Sequence, residues 1–422
     1  MLDIRFIRDH ADDVRAGVSL KGEDIARVDE ALRLDEERRR LLQSSETLKS
    51  RKNTVSNQVA AMKARKEDAS AVIAEMKKVA DEIKGIDDRL ASVEELLRSA
   101  LLLIPNIPHA SVPRGTTPAD NQVIATHGGP PVIDFPPKPH WELAERLHII
   151  DFPRGVKITG AGFPVYIGKG AQLERALINF FLDEAGRAGY TEIFPPLVVN
   201  QSSATGTGQL PDKEDQMYVV QRDDFYLVPT AEVPVTNFYR DEILAANQIP
   251  VRFCAYTPCF RREAGSYGKD VRGLNRVHQF NKVELVKFVQ PEHSYDELEL
   301  LRADAERLLQ KLGLHYHVLL MCSGDLGFTQ AKKYDLEVWA VGQQKWLEVS
   351  SVSNFESYQA RRMNIRYRPD GGGKPEILHT LNGSGLALPR VVAALLEQYQ
   401  TPEGKVVIPK VLHPYTGFAL IG

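Results

Sequence analysis

The stretch "CFRREAGSYGKDVRGLNRVHQFNKVELV", residues 259–286, decides the fold because it carries arginines, lysines and glutamates in the alternating pattern of β-strands. Side chains two or four positions apart on a strand share a face, which predicts one face for Arg276, Phe280 and Glu284. At ~3.3 Å per residue this row would span about 26 Å, long enough for a nucleotide and a second small substrate. An exposed sheet with cross-strand ion pairs is the alternative.

The same spacing places Arg261 and Glu263 on one face of a preceding strand. The segment "AGSYGKDVRG" joins the two strands, which predicts a hairpin with one functional face. Its cations suit phosphates, its aromatic ring suits a base, and its carboxylates suit an amine or a hydroxyl. The lone histidine of the stretch, His278, is interpreted as a hydrogen-bonded structural residue.

Two later segments extend this predicted site. "LEVSSVSN" places Glu348 and Ser350 on one strand face, where their oxygens suit a divalent cation such as Mg²⁺. "TLNGSGLALPRVV" leads from Gly383 and Gly385 to Arg390 at a helix start. Backbone at these glycines could approach a ligand closely, although tight packing is the usual reason for such a pair.

The chain between about Val28 and Ala100 contains no proline and one glycine, Gly85, which predicts long helices. Apolar residues at spacings of three and four predict a coiled-coil seam in the second helix. The break at "ARKEDASA", with Ser70 as a cap, predicts an antiparallel hairpin about 50 Å long. The second-helix seam consists of Val72, Met76, Val79, Ile83, Ile86, Leu90, Val93, Leu97 and Ala100, and the first-helix repeat of Leu34, Leu41, Leu48, Val55 and Met62.

Basic residues gather toward the tip of this arm, where residues 49–66 contain no acidic residue. A solvated helix face is the common explanation. The alternative, functional explanation is that these residues form a surface that contacts the phosphates of a nucleic acid. The residues concerned are Lys49, Arg51, Lys52, Lys63, Arg65 and Lys66.

Composition excludes several classes of protein. Lysine plus arginine (53) nearly balances aspartate plus glutamate (56), so a basic surface must be local. The three cysteines show no metal-ligand spacing, so neither a disulfide scaffold nor a structural zinc site is expected. No apolar run is long enough to cross a membrane and the amino terminus resembles no targeting signal, which predicts a cytoplasmic protein.

The chain divides into an N-terminal domain, 1–110, with its arm at about 28–100, a proline-rich linker, 111–130, and a second domain, 131–422. Consecutive strand patterns without intervening helices predict an α+β domain with a mainly antiparallel sheet and flanking helices.

These motifs together resemble the bacterial seryl-tRNA synthetases, a class II aminoacyl-tRNA synthetase family, over essentially the whole chain. "TEIFPPLVV", "FRRE" with "RVHQF", and "GSGLALPR" match the three class motifs in order. Ala387 stands for the last class glycine, and Pro389 is an unexpected residue in the third motif. "TGTGQLP", "PTAEVP" and "EVSSVSNFESYQARR" resemble the seryl enzymes specifically.

The resemblance implies an ATP-dependent ligase of protein biosynthesis that activates L-serine as seryl-adenylate and transfers it to the 3′ end of serine tRNA. Charging of selenocysteine tRNA is also compatible with it. It implies a cytoplasmic homodimer, with Pro195 at the subunit interface, Mg²⁺ bound with ATP, and an arm that grips the long variable arm of the tRNA.

The resemblance also implies roles for individual residues. Arg261 and Arg390 are expected to be catalytic, with Arg261 bridging the serine carboxylate and the α-phosphate. Glu348 and Ser351 are expected to hold the metal, which requires a bulge in that strand. The ATP site is expected to contain Arg261, Arg262, Glu263, Arg276, Phe280, Glu348, Val349, Ser350, Ser351 and Arg390, and the serine site Thr230, Ala231, Glu232, Arg261, Glu284 and Ser384.

Other readings of the sequence stay open. Thr230 could simply cap the helix that follows it. "GTGQLPDKEDQMY" could be a loop that closes over the site or a plain surface connection. A ligase that loads an amino acid onto a carrier protein is one rival function. A coiled-coil nucleic-acid-binding or scaffold protein with an inactive second domain is the other.

Overall fold

The structure is a computed structural model that describes residues 1–264 and 272–422. Most of the connecting segment "AGSYGKDVRG" therefore lies outside the described residues. Contacts divide the chain into two compact units, one formed by Met1–Ser19 and Glu23–Pro105 and the other by Leu20–Gly22 and Asn106–Gly422. No helix among the described residues is both long and apolar enough to cross a membrane.

The first unit is helical and contains the predicted arm. Its helices are α1 (Ile4–Asp9), α2 (Ala11–Leu20), α3 (Ala26–Ala64) and α4 (Ser70–Leu102). Helices α3 and α4 pack as a hairpin, and none of the predicted seam residues is exposed. The coiled-coil prediction is confirmed.

The turn of the hairpin differs from the prediction in its cap. Ser70 is the first residue of α4 rather than the cap. Its backbone N–H and its hydroxyl donate hydrogen bonds to the Asp68 carboxylate at 2.9 Å and 2.6 Å. These two hydrogen bonds lower the pKa of Asp68.

The second unit is built around one large sheet, to which small sheets and helices are added. Among the described residues the strands are β1 (Gln122–His127), β2 (Ile150–Asp151), β3 (Val165–Tyr166), β4 (Thr191–Glu192), β5 (Val198–Asn200), β6 (Val219–Val220), β7 (Phe225–Leu227), β8 (Ile243–Ala245), β9 (Val251–Phe260), β10 (Gln279–Val289), β11 (Tyr316–Leu320), β12 (Lys332–Ala340), β13 (Lys345–Asn354), β14 (Arg366–Arg368), β15 (Glu376–Ile377), β16 (His379–Ala387), β17 (Val406–Val407) and β18 (Leu420–Ile421). The helices are α5 (His140–Arg146), α6 (Phe152–Ile158), α7 (Lys169–Arg187), α8 (Gln201–Thr207), α9 (Glu232–Thr236), α10 (Ser294–Leu312), α11 (Tyr358–Met363), α12 (Leu388–Gln398) and α13 (His413–Thr416).

The large sheet has the strand order β1-β11-β12-β13-β16-β10-β9-β4. Its neighbouring strands are antiparallel except for β4 and β9, so the predicted α+β class is confirmed. One face packs against α7, α10 and α12 through buried leucines and valines, as Leu285 of β10 and Leu301 of α10 illustrate. On the opposite face, a second hydrophobic cluster covers Val286 and Phe288 of β10, and polar side chains occupy the part around Lys282 and Glu284.

Strand β10 begins later than predicted. It starts at Gln279, so Arg276 precedes the strand and does not continue the row of Phe280 and Glu284. Strand β9 likewise ends at Phe260, before Arg261 and Glu263. The chain turns there, and Glu263 has a positive φ of 49°.

A bulge in β13 changes which side chains share a face. Glu348 pairs with Glu337 and Ser350 with Leu336, so Val349 is an extra residue in β13. Glu348 and Ser351 therefore lie on one face and Ser350 on the other. The prediction of a shared face for Glu348 and Ser350 is wrong, and the irregularity required for Ser351 is present.

A second irregularity joins β10 and β16. Lys282 pairs with Ala387 and Glu284 with Ser384, so Gly385 and Leu386 together oppose Val283, and Leu386 takes a φ of 107°. The distortion comes directly before α12, where Pro389 lies in the first turn and fits without losing a hydrogen bond.

Candidate active site

The polar face of the sheet forms the floor of a cavity of about 430 Å³. Arg276, Phe280 and Glu284 all line it, although Arg276 reaches it from the turn before β10. Six cations and four carboxylates line the cavity among the described residues: Lys213, Arg261, Arg276, Lys282, Lys333 and Arg390, with Glu232, Glu263, Glu284 and Glu348. This excess of positive charge suits an anionic ligand.

At one end of the cavity, the Lys282 ammonium forms a buried ion pair with the Glu284 carboxylate. The ammonium also donates to Thr230 Oγ1 at 2.8 Å, and that hydroxyl donates to Glu284 at 3.0 Å. Lys282 was missed by the sequence analysis, although it alternates with Phe280 and Glu284 on the same strand face. A period-two count over β10 would have found it.

Glu232 lies beside this group. Burial raises its pKa, the nearby Glu284 carboxylate raises it further, and a hydrogen bond from Gln359 at 2.7 Å opposes the rise. The N-cap of α9 is Ala231, so the alternative reading of Thr230 as the cap is wrong, although Thr230 Oγ1 accepts the backbone N–H of Glu232 at 3.2 Å. Its hydroxyl also contacts Lys282 and Glu284.

Arg261 contacts both Phe280 and Pro229, the residue before Thr230. Its guanidinium carbon is 5.1 Å from the centre of the Phe280 ring, and its Nε donates to the Pro229 carbonyl at 3.2 Å. Stacking and this hydrogen bond hold the side chain, and no hydrogen bond joins its terminal nitrogens to another described residue, so they can bind a ligand.

Arg276 and Arg390 are linked through the segment before β10, because Arg390 bonds the residue that precedes Arg276. Arg276 Nε donates to Glu263 at 2.6 Å, and Arg390 donates to the carbonyls of Asn275 at 2.9 Å and Glu348 at 2.8 Å. Backbone hydrogen bonds thus fix Arg390 at the start of α12, as the sequence predicted.

A second buried acid lies next to Ser351 on strand β12. Burial raises the pKa of Asp335 to about 7, and the Glu348 charge contributes to the rise, whereas Lys333 and a hydrogen bond with Ser351 oppose it. Asp335 Oδ1 is buried and has no hydrogen-bond partner among the described residues. The sequence analysis missed Asp335, although it alternates with apolar residues and shares a strand face with Glu337 in "YDLEVWA".

Several predicted residues lie elsewhere or contribute differently. Ala231 is buried in a hydrophobic cluster and Arg262 is exposed, so neither side chain is among the described residues that line the cavity. Ser350 is buried and donates to the Ser384 carbonyl at 2.6 Å. A Cβ on Gly383 or Gly385 would meet Val352 or Leu285, so these glycines serve packing rather than ligand approach.

His278 is a structural residue, as predicted. Its Nδ1 is hydrogen-bonded to the Tyr218 hydroxyl at 2.9 Å, and its ring stacks on Phe163 with 5.5 Å between centres.

The segment "GTGQLPDKEDQMY" contributes Gln209, Lys213 and Gln216 to the cavity wall. Lys213 is exposed as a whole residue, but it also lines the cavity. Desolvation lowers the pKa of its ammonium, and the positive charge of Arg261 lowers it further.

On the arm, the six predicted basic residues fall into two groups. Lys49 pairs with Asp87 at 3.1 Å and Arg51 pairs with Glu75, both across the hairpin. Lys52 occupies a half-buried seam position. Lys63, Arg65 and Lys66 are exposed at the tip, and no ion pair joins them to another described residue.

Two family models match the chain. The model described as the tRNA synthetase class II core domain (G, H, P, S and T) matches residues 218–399, and the model described as the seryl-tRNA synthetase N-terminal domain matches residues 1–108. The serine–tRNA ligase of Salinibacter ruber is 55% identical over 100% of this chain and 99% of its own length. That of Geobacter sulfurreducens is 54% identical over 99% of each.

A solved structure shows the same architecture. The crystal structure of seryl-tRNA synthetase from Pyrococcus horikoshii, complexed with ATP, matches with a TM-score of 0.96 and 36% identity, covering 100% of this chain and 99% of that one.

Replacing Lys282 by methionine should destabilise the protein by about 3–5 kcal/mol, because Glu284 would be left buried without its cation. Replacing both residues, as Lys282→Met with Glu284→Gln, should recover part of this loss because no unpaired charge remains. Denaturant unfolding of the single and double variants measures both effects. A double variant no more stable than Lys282→Met would contradict this account of the pair.

Proposed function

This chain belongs to the class II seryl-tRNA synthetases, and from that premise we propose how its cavity is divided between ATP and serine. The enzyme activates L-serine with ATP to form seryl-adenylate, and then transfers the seryl group to the 3′ end of tRNA. In the first step a serine carboxylate oxygen bonds to the α-phosphorus as the bond to pyrophosphate breaks. In the second step a ribose hydroxyl of tRNA takes the seryl group and AMP leaves.

The position of Arg261 carries this proposal. Its guanidinium lies over the Phe280 ring and donates to the carbonyl of Pro229, the residue before Thr230, whose hydroxyl is bonded to Lys282 and Glu284. A planar cation there can bind the serine carboxylate and the α-phosphate together, and so align the attack and offset the negative charge on phosphorus. Arg261 is therefore proposed as the central catalytic residue.

The nucleotide is assigned to the side of Phe280, Arg276 and Arg390. Phe280 offers its face to the adenine, Glu263 lies toward the adenine and ribose, and the two arginines bind the outer phosphates. Support comes from the hydrogen bonds that hold each arginine at the wall before a ligand arrives. Val349 and Ser350 contribute through their place in the bulged strand, and Arg262 lies at the exposed rim.

Serine is assigned to the end occupied by Thr230, Glu232, Glu284 and Ser384, with Ala231 contributing only its backbone. Carboxylates there can bind the serine ammonium and accept a hydrogen bond from its hydroxyl. Alanine lacks that hydroxyl and would leave buried polar groups unpaired, which gives strong discrimination against it. Lys282 limits the repulsion between the carboxylates of Glu232 and Glu284.

We infer that Mg²⁺ accompanies ATP at Glu348 and Ser351. The bulge brings these two oxygen ligands to one face, and the partnerless Asp335 Oδ1 lies on the adjacent strand. Among the described residues no cluster of three or more histidine, cysteine or acidic side chains could hold a metal by itself. A site with few protein oxygens fits Mg²⁺, which takes its other ligands from phosphates and water and would neutralise phosphate charge.

The arm is proposed to bind the long variable arm of serine tRNA, with the N-terminal unit as the tRNA-binding domain and the second unit, which includes segment 111–130 and its strand β1, as the catalytic domain. Lys63, Arg65 and Lys66 are the best-placed cations, because Lys49 and Arg51 already pair with α4 and Lys52 is half-buried. Cations that are not paired within the protein gain most from contact with phosphates.

A homodimer acting in the cytoplasm is also proposed. The segment after β4 carries Phe194, which is 81% exposed, followed by Leu197 and Val198, each 39% exposed, around the buried Pro195. Adjacent exposed apolar side chains mark a surface that another protein covers, and a second copy of this chain fits the implied class motif.

Replacing Arg261 by alanine should reduce serine-dependent ATP–pyrophosphate exchange by about a hundredfold or more, because Arg261 is the cation assigned to both the serine carboxylate and the α-phosphate. Arg222→Ala, an exposed arginine away from the cavity, is the control for a general effect of losing a cation. Alanine and threonine serve as control substrates. Near-normal exchange by Arg261→Ala would refute the assignment, and exchange driven equally by alanine would refute the serine site.

Reversing Lys63, Arg65 and Lys66 to glutamate should spare ATP–pyrophosphate exchange and weaken tRNA charging. The slope of log affinity for tRNA against log salt should fall by roughly 0.7–0.9 per lost phosphate contact. Filter binding at several salt concentrations measures it. Reversal of Lys157, Lys374 and Lys410, three exposed cations outside the arm, is the charge-matched control. An equal effect of both triple variants would show that the arm tip does not bind tRNA.

A further inference from the structure

A buried histidine and glutamate lie behind the cavity wall. His140 opens α5, Glu397 lies near the end of α12, and both side chains are completely buried. His140 Nδ1 is 2.8 Å from Glu397 Oε1, and His140 Nε2 accepts the backbone N–H of Leu274 at 2.8 Å. Neither side chain is among the described residues that line the cavity, but Leu274 is.

These contacts determine the tautomer of His140. A backbone N–H can only donate, so Nε2 must be the unprotonated acceptor, and the ring proton lies on Nδ1, where it is donated to Glu397. The Glu397 carboxylate also accepts the N–H groups of His140 and Gly342, each at 2.9 Å, and the Gln343 amide at 2.7 Å. With this many donors its orientation is fixed, and it fixes the ring in turn.

The chain after residue 271 is shaped to lie directly against this imidazole. Gly273 has a φ of 67°, and a Cβ there would come within 2.3 Å of His140 Nε2. Any larger residue would therefore push the segment away from the ring. The Arg272 guanidinium adds a contact 4.8 Å from the ring centre of Trp141, the residue after His140.

This segment holds the arginines assigned to the phosphates. The Asn275 carbonyl accepts Arg390 Nε at 2.9 Å, and the Asn275 amide donates to Gln343 Oε1 at 2.8 Å. Arg276, the next residue, is paired with Glu263. A shift of Leu274 away from His140 would therefore move both Arg276 and the acceptor that orients Arg390.

We propose that His140, held by Glu397, is a positioning residue for the nucleotide half of the active site. It acts through the Leu274 N–H on Arg276 and Arg390 and leaves the serine half unaffected. The inference rests on the proposed function, since it takes these arginines as the phosphate ligands. A purely structural role in the core would instead affect both substrates alike.

The test uses two amide substitutions, each of which replaces one nitrogen of the ring. His140→Gln places an amide oxygen near the position of Nε2 and can still accept from Leu274, whereas His140→Asn can reach only Glu397. His140→Asn should raise the KM for ATP in exchange roughly five- to tenfold, the size of one lost hydrogen bond, with the KM for serine nearly unchanged. His140→Gln should restore most of the ATP affinity.

A second variant keeps the test valid if substitutions of His140 fold poorly. Gly273→Ala leaves His140 and Glu397 intact but displaces the segment, and should raise the KM for ATP in the same selective way. His379→Asn is the matched control, because this partly buried histidine bonds Ser294 at 2.9 Å outside the cavity. It should leave the ratio of the two KM values unchanged.

The outcomes separate this inference from the proposed function. If the wild-type protein showed no serine-dependent ATP–pyrophosphate exchange, the proposed function itself would be refuted. Normal exchange by the unaltered protein, with an unchanged KM ratio in both His140→Asn and Gly273→Ala, would overturn only the positioning role. If His140→Gln raised the KM for ATP as much as His140→Asn does, the positioning role would also be overturned, because the hydrogen bond to Leu274 would then not be the cause.

Discussion

The two faces of strand β10 must meet opposite chemical demands, and the rest of the site depends on how they do so. Val283 and Leu285 are buried in the main hydrophobic core, whereas Phe280, Lys282 and Glu284 face the cavity. A buried carboxylate on a sheet is costly unless it is paired, and the ion pair with Lys282 and the hydrogen bond from Thr230 supply the partners. The protein can therefore present a carboxylate to serine without placing an isolated charge in its interior.

Departures from regular strand geometry complete the site. The extra Val349 turns Glu348 and Ser351 to one face, and the extra residue in β16 brings Ala387 to the cavity together with Ser384. Without these extra residues, the side chains on one side of each irregularity would point to the opposite face of the sheet. The function thus depends on a rigid sheet with irregularities in defined places.

The sequence was sufficient for the parts of the structure that follow from periodicity. The seam of the arm, the antiparallel sheet and the charged face of β10 all repeat at helical or strand spacing. Local distortions were harder to predict: β10 starts only at Gln279, which leaves Arg276 outside the strand, and Glu348 shares a face with Ser351 only because β13 is bulged against β12. The pairing of His140 with Glu397 likewise comes from a tertiary contact that no local pattern encodes. The rival functions lose support because an N-terminal seryl-tRNA synthetase domain accompanies a core in which the predicted charged residues converge.

The most direct test of the central claim, that this charged face binds both substrates, is a crystal structure of the protein with a non-hydrolysable seryl-adenylate analogue. The account predicts the adenine against Phe280, the Arg261 guanidinium at the phosphate and the seryl carbonyl, and the serine amine and hydroxyl within hydrogen-bonding distance of the group formed by Thr230, Glu232 and Glu284. An analogue bound with Phe280 and Glu284 out of contact, or with its two ends exchanged, would contradict it.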